Sequence, residues 1–346
     1  MARSTPFTTL QIIADILSFN TPQQILSEQL QNTKINWDAV VVISSNHLML
    51  PALYCRLKSK GLLPYIPTDL QNYLEEITDI NRARNEKLLK ETYIISDILS
   101  KENIDHVFIK GIALIASSTY EDMGERMIGD IDILVADNHI EHAFDLINKL
   151  GYTKTITYNY DNKNLRHLPR QISEHNFGAI ELHREILRFK FKHLINPVEV
   201  LKNKRIINGI SVPSIDDSIK ISILALQVND NAHYLGNMHL KSIFDCINLK
   251  LPQNKKLLHI LSKEKHANSF LHISNLFFKE LYARRPFYTS KFLRGYFRFK
   301  LQRPKLGYRI NHILKTYNTY TASLLRFLTN KSYRSYVLKL FLVREN

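Results

Sequence analysis

The chain has 346 residues, 45% of them hydrophobic and 23% charged, with a formal net charge of +15. That length suits one large domain or two modest ones, and the composition is that of a globular protein rather than a disordered or fibrous one. No apolar run approaches the ~20 residues of a spanning helix, the polar start lacks the apolar core of a secretory leader, and Cys55 and Cys246 stand far apart without a motif; a cytoplasmic protein with reduced thiols is expected.

Residues 1–101 read as a helical lobe. Leu10, Ile13, Ile16 and Leu17 recur at helical spacing, residues 46–60 form an amphipathic helix stopped by Gly61, and residues 62–67 are a proline-punctuated linker. A long helix follows from Thr68 or Asp69 towards Ser100. Its apolar positions, among them Leu70, Leu74, Ile77, Leu88, Ile95 and Leu99, drift in register, which suggests a break or bend.

Residues 102–213 carry the chemistry. The run Val107-Phe108-Ile109 reads as a strand that ends at Lys110-Gly111, where a helical run begins. Free backbone N–H groups and the helix dipole favour phosphate at such a turn. Arg126, in the polar loop that follows, is a second candidate partner for phosphate. The next strand-like run, residues 128–135, holds Asp130 and Asp132. Strand residues two apart share a face, so the two carboxylates are neighbours while Ile131, Ile133 and Val135 fill the other side. Side by side they repel and resist desolvation unless a cation sits between them. A hard divalent ion, Mg²⁺ or Mn²⁺, takes such oxygens. Taken alone, Asp-x-Asp is better read as an edge strand with a solvated face; the neighbours change that reading.

Further along, a helix over residues 140–150 stops at Gly151. Residues 152–160 and 167–172 read as strands, and Ala179-Ile180-Glu181-Leu182-His183 as another, with Glu181 a third carboxylate and His183 on its face. Asn208-Gly209 inside residues 206–212 signals a hairpin, and Asp216-Asp217 are expected to cap the helix after it. Metal-binding acids beside phosphate donors are the equipment of in-line phosphoryl or nucleotidyl transfer.

The pattern Lys110-Gly111, Tyr120, Gly124-x-Arg126, Asp130-Ile131-Asp132, Gly151-Tyr152 and Glu181 with His183 resembles the bacterial uncharacterised nucleotidyltransferase family, within the polymerase-beta-like nucleotidyltransferase superfamily. The resemblance covers roughly residues 20–250 in arrangement and is specific between residues 107 and 183. It departs at the turn, where Ile112 follows Gly111 instead of the serine or glycine common in the superfamily. It implies an α+β fold, a small mixed β-sheet core flanked by N-terminal and C-terminal helical regions. It also implies metal-dependent transfer of an NMP group from an NTP, ATP included, to an unknown acceptor, with pyrophosphate released. The acceptor is a small molecule, a peptide, a protein or an RNA. Asp130, Asp132 and Glu181 would hold two metal ions, with Glu181 a ligand or a base, and Lys110, Gly111 and Arg126 would hold the triphosphate. A module that keeps this fold only to bind nucleic acid or an anionic surface is the alternative.

Residues 214–280 read as a helical region packing on the core, where Asn229, Asp230, His233, His239 and Asp245 serve either a bound nucleotide or helix ends. Residues 281–346 contain 15 Lys or Arg and one acid, Glu345, so they supply nearly all the net charge. Aromatics interleave with those cations. Single-stranded nucleic acid, an anionic membrane surface and a plain bundle with a basic solvated face all fit that composition. No Gly-x-Gly-x-x-Gly, no Gly-Lys-Ser/Thr loop and no Ser–His–Asp order occurs, which removes support for dinucleotide, P-loop and triad chemistry.

Overall fold

The computed structural model describes residues 5–156, 160, 165–282 and 286–343. Its first helices are α1 (Pro6–Leu17), α2 (Gln23–Asn32), α3 (Trp37–Asn46) and α4 (Leu50–Ser59). Thr5 caps α1 through a reciprocal pair with Thr8, and Asn36 caps α3, so each start satisfies otherwise orphaned N–H groups. Then α5 (Thr68–Lys101) runs 34 residues. The expected break is absent: α5 is continuous, and its buried positions keep helical spacing from Leu70 through Leu99. The apolar pattern drifted because the middle of the buried face is polar. Asn81 donates to Gly124 O at 2.7 Å, and Asn85 to Met123 O at 2.6 Å and Arg126 O at 2.8 Å. These amides hold the loop before the second strand.

Next come β1 (His106–Ile109), α6 (Lys110–Ala116), β2 (Asp130–Val135), α7 (Ile140–Lys149), β3 (Lys154–Ile156), β4 (Arg170–Ile172) and β5 (Ala179–His183). Part of the strand expected over residues 152–160 lies outside the described residues. The five strands form one mixed sheet in the order β1-β2-β5-β4-β3. β2 pairs antiparallel with β1 and parallel with β5, in a register that sets Asp132 opposite both Ile109 and Glu181. Ile131, Ile133 and Ile180 are fully buried on the opposite face. Gly178 opens β5 where a Cβ would stand 2.8 Å from Ile131 Cδ1 and 3.0 Å from Glu91 Oε2. A larger residue there would have to push these side-chain ends aside, so glycine suits the close packing of Ile131 and Glu91 against the start of β5. Glu91 of α5 accepts the Gly178 N–H at 2.8 Å, which fixes where β5 begins.

The remaining chain is α8 (Pro197–Lys202), the hairpin β6 (Arg205–Ile207) and β7 (Ile210–Val212), then α9 (Ile215–Leu224), α10 (Ala232–Leu235), α11 (Leu240–Asn248), α12 (Lys255–Leu261), α13 (Lys265–Ser274), α14 (Tyr288–Gln302), α15 (Pro304–Thr329) and α16 (Lys331–Val343). Asn208 and Gly209 both have positive φ, 49° and 80°, the geometry of the expected two-residue hairpin turn. The α9 cap is Ser214, whose side chain accepts the Asp217 N–H, so the helix starts earlier than the Asp216-Asp217 pair suggested. The result is the α+β architecture expected: a small mixed sheet with helical regions at both ends.

Candidate active site

β2 delivers Asp130 and Asp132 to one face of the sheet, and the parallel register of β5 sets Glu181 directly beside Asp132. His183, two residues on, shares that face. Its Nε2 lies 2.8 Å from Asp132 Oδ1 and 3.5 Å from Glu181 Oε2. Asp132, Glu181 and His183 are all buried, and one ligand atom from each falls within 4.8 Å of the others. Two carboxylates and an imidazole at that separation form a donor set for a divalent cation. Asp130 stands at the edge of this group, joined to it through Arg170, whose NH2 lies 2.6 Å from Asp130 Oδ2 and 2.9 Å from Glu181 Oε1.

Lys110 follows β1 with φ +60°, a left-handed backbone that costs a non-glycine residue roughly 1–2 kcal/mol. Its Nζ sits 2.5 Å from Asp132 Oδ1 across the strand pair, a contact that holds the turn in that conformation. Burial alone would raise the Asp132 carboxyl, but Lys110 and the hydrogen bond to His183 hold it well below the usual carboxylate range. Glu181 is also lowered, burial being opposed chiefly by His183. Asp130 moves the other way: burial outweighs the Arg170 charge and pushes its carboxyl up. Two adjacent acids thus occupy different electrostatic environments.

Gly111 is packed tightly; a Cβ there would come within 3.2 Å of Ile128 and 3.7 Å of Arg126 NH1. Arg126 therefore stands behind the Gly111 turn. Its guanidinium is buried and forked onto Asp245 of α11, Nε to Oδ1 at 2.7 Å and NH2 to Oδ2 at 3.0 Å, while NH1 donates to Met127 O. The Tyr120 hydroxyl donates to the same Asp245 oxygen as Nε. Of the polar residues expected between α9 and α11, Asn229 accepts the Arg188 N–H and donates to Ile186 O, tying down the segment after β5, and His239 packs edge-on against His47.

Sequence reasoning did not single out Arg170. The signal was there in outline: the register that pairs Gln171 with Ile180 turns both inward and leaves Arg170 on the Glu181 side. Asp245 as the Arg126 partner had no such signal, because 119 residues separate the two.

A family model described as uncharacterised nucleotidyltransferase matches residues 33–257, well over half of the chain. The chain belongs to this nucleotidyltransferase family. The matched span contains the whole five-stranded sheet and the Asp132, Glu181 and His183 group, so these acids lie inside the family region. α14, α15 and α16 lie beyond it. A search of curated proteins returned no match. Among the described residues, no helix is long and apolar enough to cross a membrane.

Proposed function

We propose that the chain transfers a nucleoside monophosphate from an NTP to an acceptor hydroxyl. One observation carries this reading: Asp132, Glu181 and His183 converge within 4.8 Å on the sheet face, in a chain of the nucleotidyltransferase family. The donor set fits a divalent cation, two carboxylate oxygens and an imidazole nitrogen being ready to share one centre. Asp130, Asp132 and Glu181, with His183, would hold Mg²⁺ or Mn²⁺. When bound, such ions neutralise phosphoryl oxygens and lower the pKa of an attacking hydroxyl.

The remaining roles belong to side chains. Lys110 and Arg170 now spend their charge on Asp132, Asp130 and Glu181. Both are partly exposed and long, so the same charges would serve the triphosphate once the acids are neutralised by a cation. The Gly111 turn would bring the backbone close to phosphate, with Arg126 supporting it from behind through Asp245. The acceptor oxygen attacks the α-phosphorus, the bond to the bridging oxygen breaks, and pyrophosphate leaves. The acceptor proton passes to a carboxylate of the site, Glu181 being the candidate. Positioning and charge neutralisation carry most of the rate in such transfers. The same proposal includes a cytoplasmic location, where NTPs are abundant.

The test is incubation with each α-labelled NTP, a divalent cation and a fractionated cell extract. Pyrophosphate release with label in one fraction is expected, and Asp132→Asn should reduce it by about a thousandfold or more, since it removes a ligand needed in the transition state. Release of orthophosphate would indicate hydrolysis instead. Equal turnover by Asp132→Asn, with its fold intact, would remove the site from the reaction.

A further inference from the structure

α15 packs poorly for its length. Of its 26 residues, only Gly307 is buried, at the crossing with α14 where a Cβ would stand 2.8 Å from Lys300 Cγ. The rest of the helix carries an uncovered apolar stripe. Ile313, Tyr317, Tyr320, Leu324 and Leu328 follow one another at steps of three or four residues, which places them on one side of the helix. Their exposure runs from 60% at Leu324 to 72% at Tyr320. From Leu306, also exposed, to Leu328 the stripe extends about 33 Å at 1.5 Å per residue. That is far more contiguous apolar surface than scattered exposed leucines provide.

The charge around the stripe is of one sign. Residues 281–343 contain no Asp or Glu at all, and Lys305, Arg309 and Lys315 of α15 are exposed. Among the described residues, no ion pair involves a cation beyond residue 281. Arg309 lies one turn before Ile313, at the edge of the stripe, and Lys315 lies across the helix from it. The occupant of this face must therefore accept aliphatic side chains and be negatively charged at the same time.

We propose that α15 docks in the plane of an anionic lipid surface, its stripe in the acyl–headgroup boundary and Lys305 and Arg309, at the edge of the stripe, among the phosphates. Three alternatives fit less well. A second copy of the chain would bring two acid-free basic helices together with no carboxylate to offset the repulsion. A nucleic acid would use the cations but leave Ile313, Leu324 and Leu328 without a role, because aliphatic side chains neither stack on bases as rings do nor bond to phosphate. Spanning the bilayer is excluded for α15, which is not apolar enough. An interfacial helix needs a continuous apolar face, flanking Lys or Arg, and aromatics with a polar tip at the boundary, here Tyr317 and Tyr320. The docking does not depend on the transfer chemistry, and no residue of the acid site takes part in it.

The experiment is flotation of the full chain with vesicles of phosphatidylcholine alone and of phosphatidylcholine with about one quarter phosphatidylglycerol. The chain should float with the anionic vesicles, remain below with the neutral ones, and be released progressively as salt is raised. The double variant Ile313→Ser, Leu324→Ser removes apolar surface without changing charge, and should bind the anionic vesicles at least about tenfold more weakly. Both positions are exposed, so its thermal midpoint should match the parent. Anionic-vesicle binding that survives the double variant unchanged would overturn the proposal, as would no flotation at low salt. Equally decisive against it would be a parent chain that sediments as a dimer which the variant dissolves, or one that binds tRNA but neither vesicle.

Discussion

The sheet face around Asp132 and the outer face of α15 treat charge in opposite ways. At the sheet, each carboxylate meets a cation or imidazole: Lys110 and His183 on Asp132, and Arg170 on Asp130 and Glu181. On α15, Lys305, Arg309 and Lys315 stand in water beside exposed leucines, with no acid among residues 281–343. Desolvation explains the contrast. A charge buried without a partner is far more costly than one left in solvent, so burial forces pairing while exposure does not. The lesson is that the chain's +15 formal charge says little about its acid site, which is locally compensated, and much about α14–α16, which are not.

The contrast is easiest to break at Arg126 and Asp245, a buried ion pair beside the site. Arg126→Met leaves Asp245 buried without its guanidinium and should cost about 3–5 kcal/mol in a denaturant titration. Adding Asp245→Leu should recover much of that loss, because no charge then remains buried. If the single variant keeps its stability and only weakens nucleotide binding, Arg126 serves phosphate rather than the fold.

Lys110 is a smaller step, since its side chain is partly exposed. Lys110→Ala should weaken NTP binding by roughly 1.5–3 kcal/mol, the range for hydrogen bonds to a charged group. Calorimetry with and without a divalent cation separates its two duties. A loss of thermal stability with unchanged NTP affinity would make it only the anchor of Asp132.

His47 and His239 test burial without charge. His47 Nδ1 accepts the Leu240 N–H at 3.3 Å, so the ring must be neutral at that nitrogen. Burial lowers His47 to about 4, and burial with the neighbouring His47 lowers His239 to about 3, both from an ordinary 6.5. A base depressed in the folded state contributes stability above its unfolded pKa and loses it as pH falls towards the folded value. The thermal midpoint should therefore fall on acidification from about pH 6.5 towards pH 4. His47→Asn, which keeps an acceptor but cannot be protonated there, should flatten part of that fall. A midpoint indifferent to pH across this window would show that the ring pair does not titrate with folding.

The smallest effect belongs to the exposed cations. Lys315→Gln should change stability by less than about 0.5 kcal/mol, as expected for a surface charge without a partner. A larger loss by thermal denaturation would mean that Lys315 makes a contact that stabilises the fold.

Much of the sheet was legible in the residues alone. Alternation set Asp130 and Asp132 against Ile131 and Ile133 on β2, Asn208-Gly209 announced its turn, and Gly151, with φ +94°, ended α7 as expected. These features depend on stereochemistry within a few residues, so the local sequence suffices to determine them. The sequence also determined the one-sided charge of residues 281–346, which is a matter of composition. Only the tertiary structure decided what lies across space. It moved His183 into the acid group by strand register, brought Arg170 between Asp130 and Glu181, and turned Asn81 and Asn85 inward to hold the loop before β2. It alone showed that α5 is unbroken and that the apolar side of α15 is left uncovered. Periodicity states which face of an element is apolar; whether another element covers that face is set by packing between segments far apart in the chain.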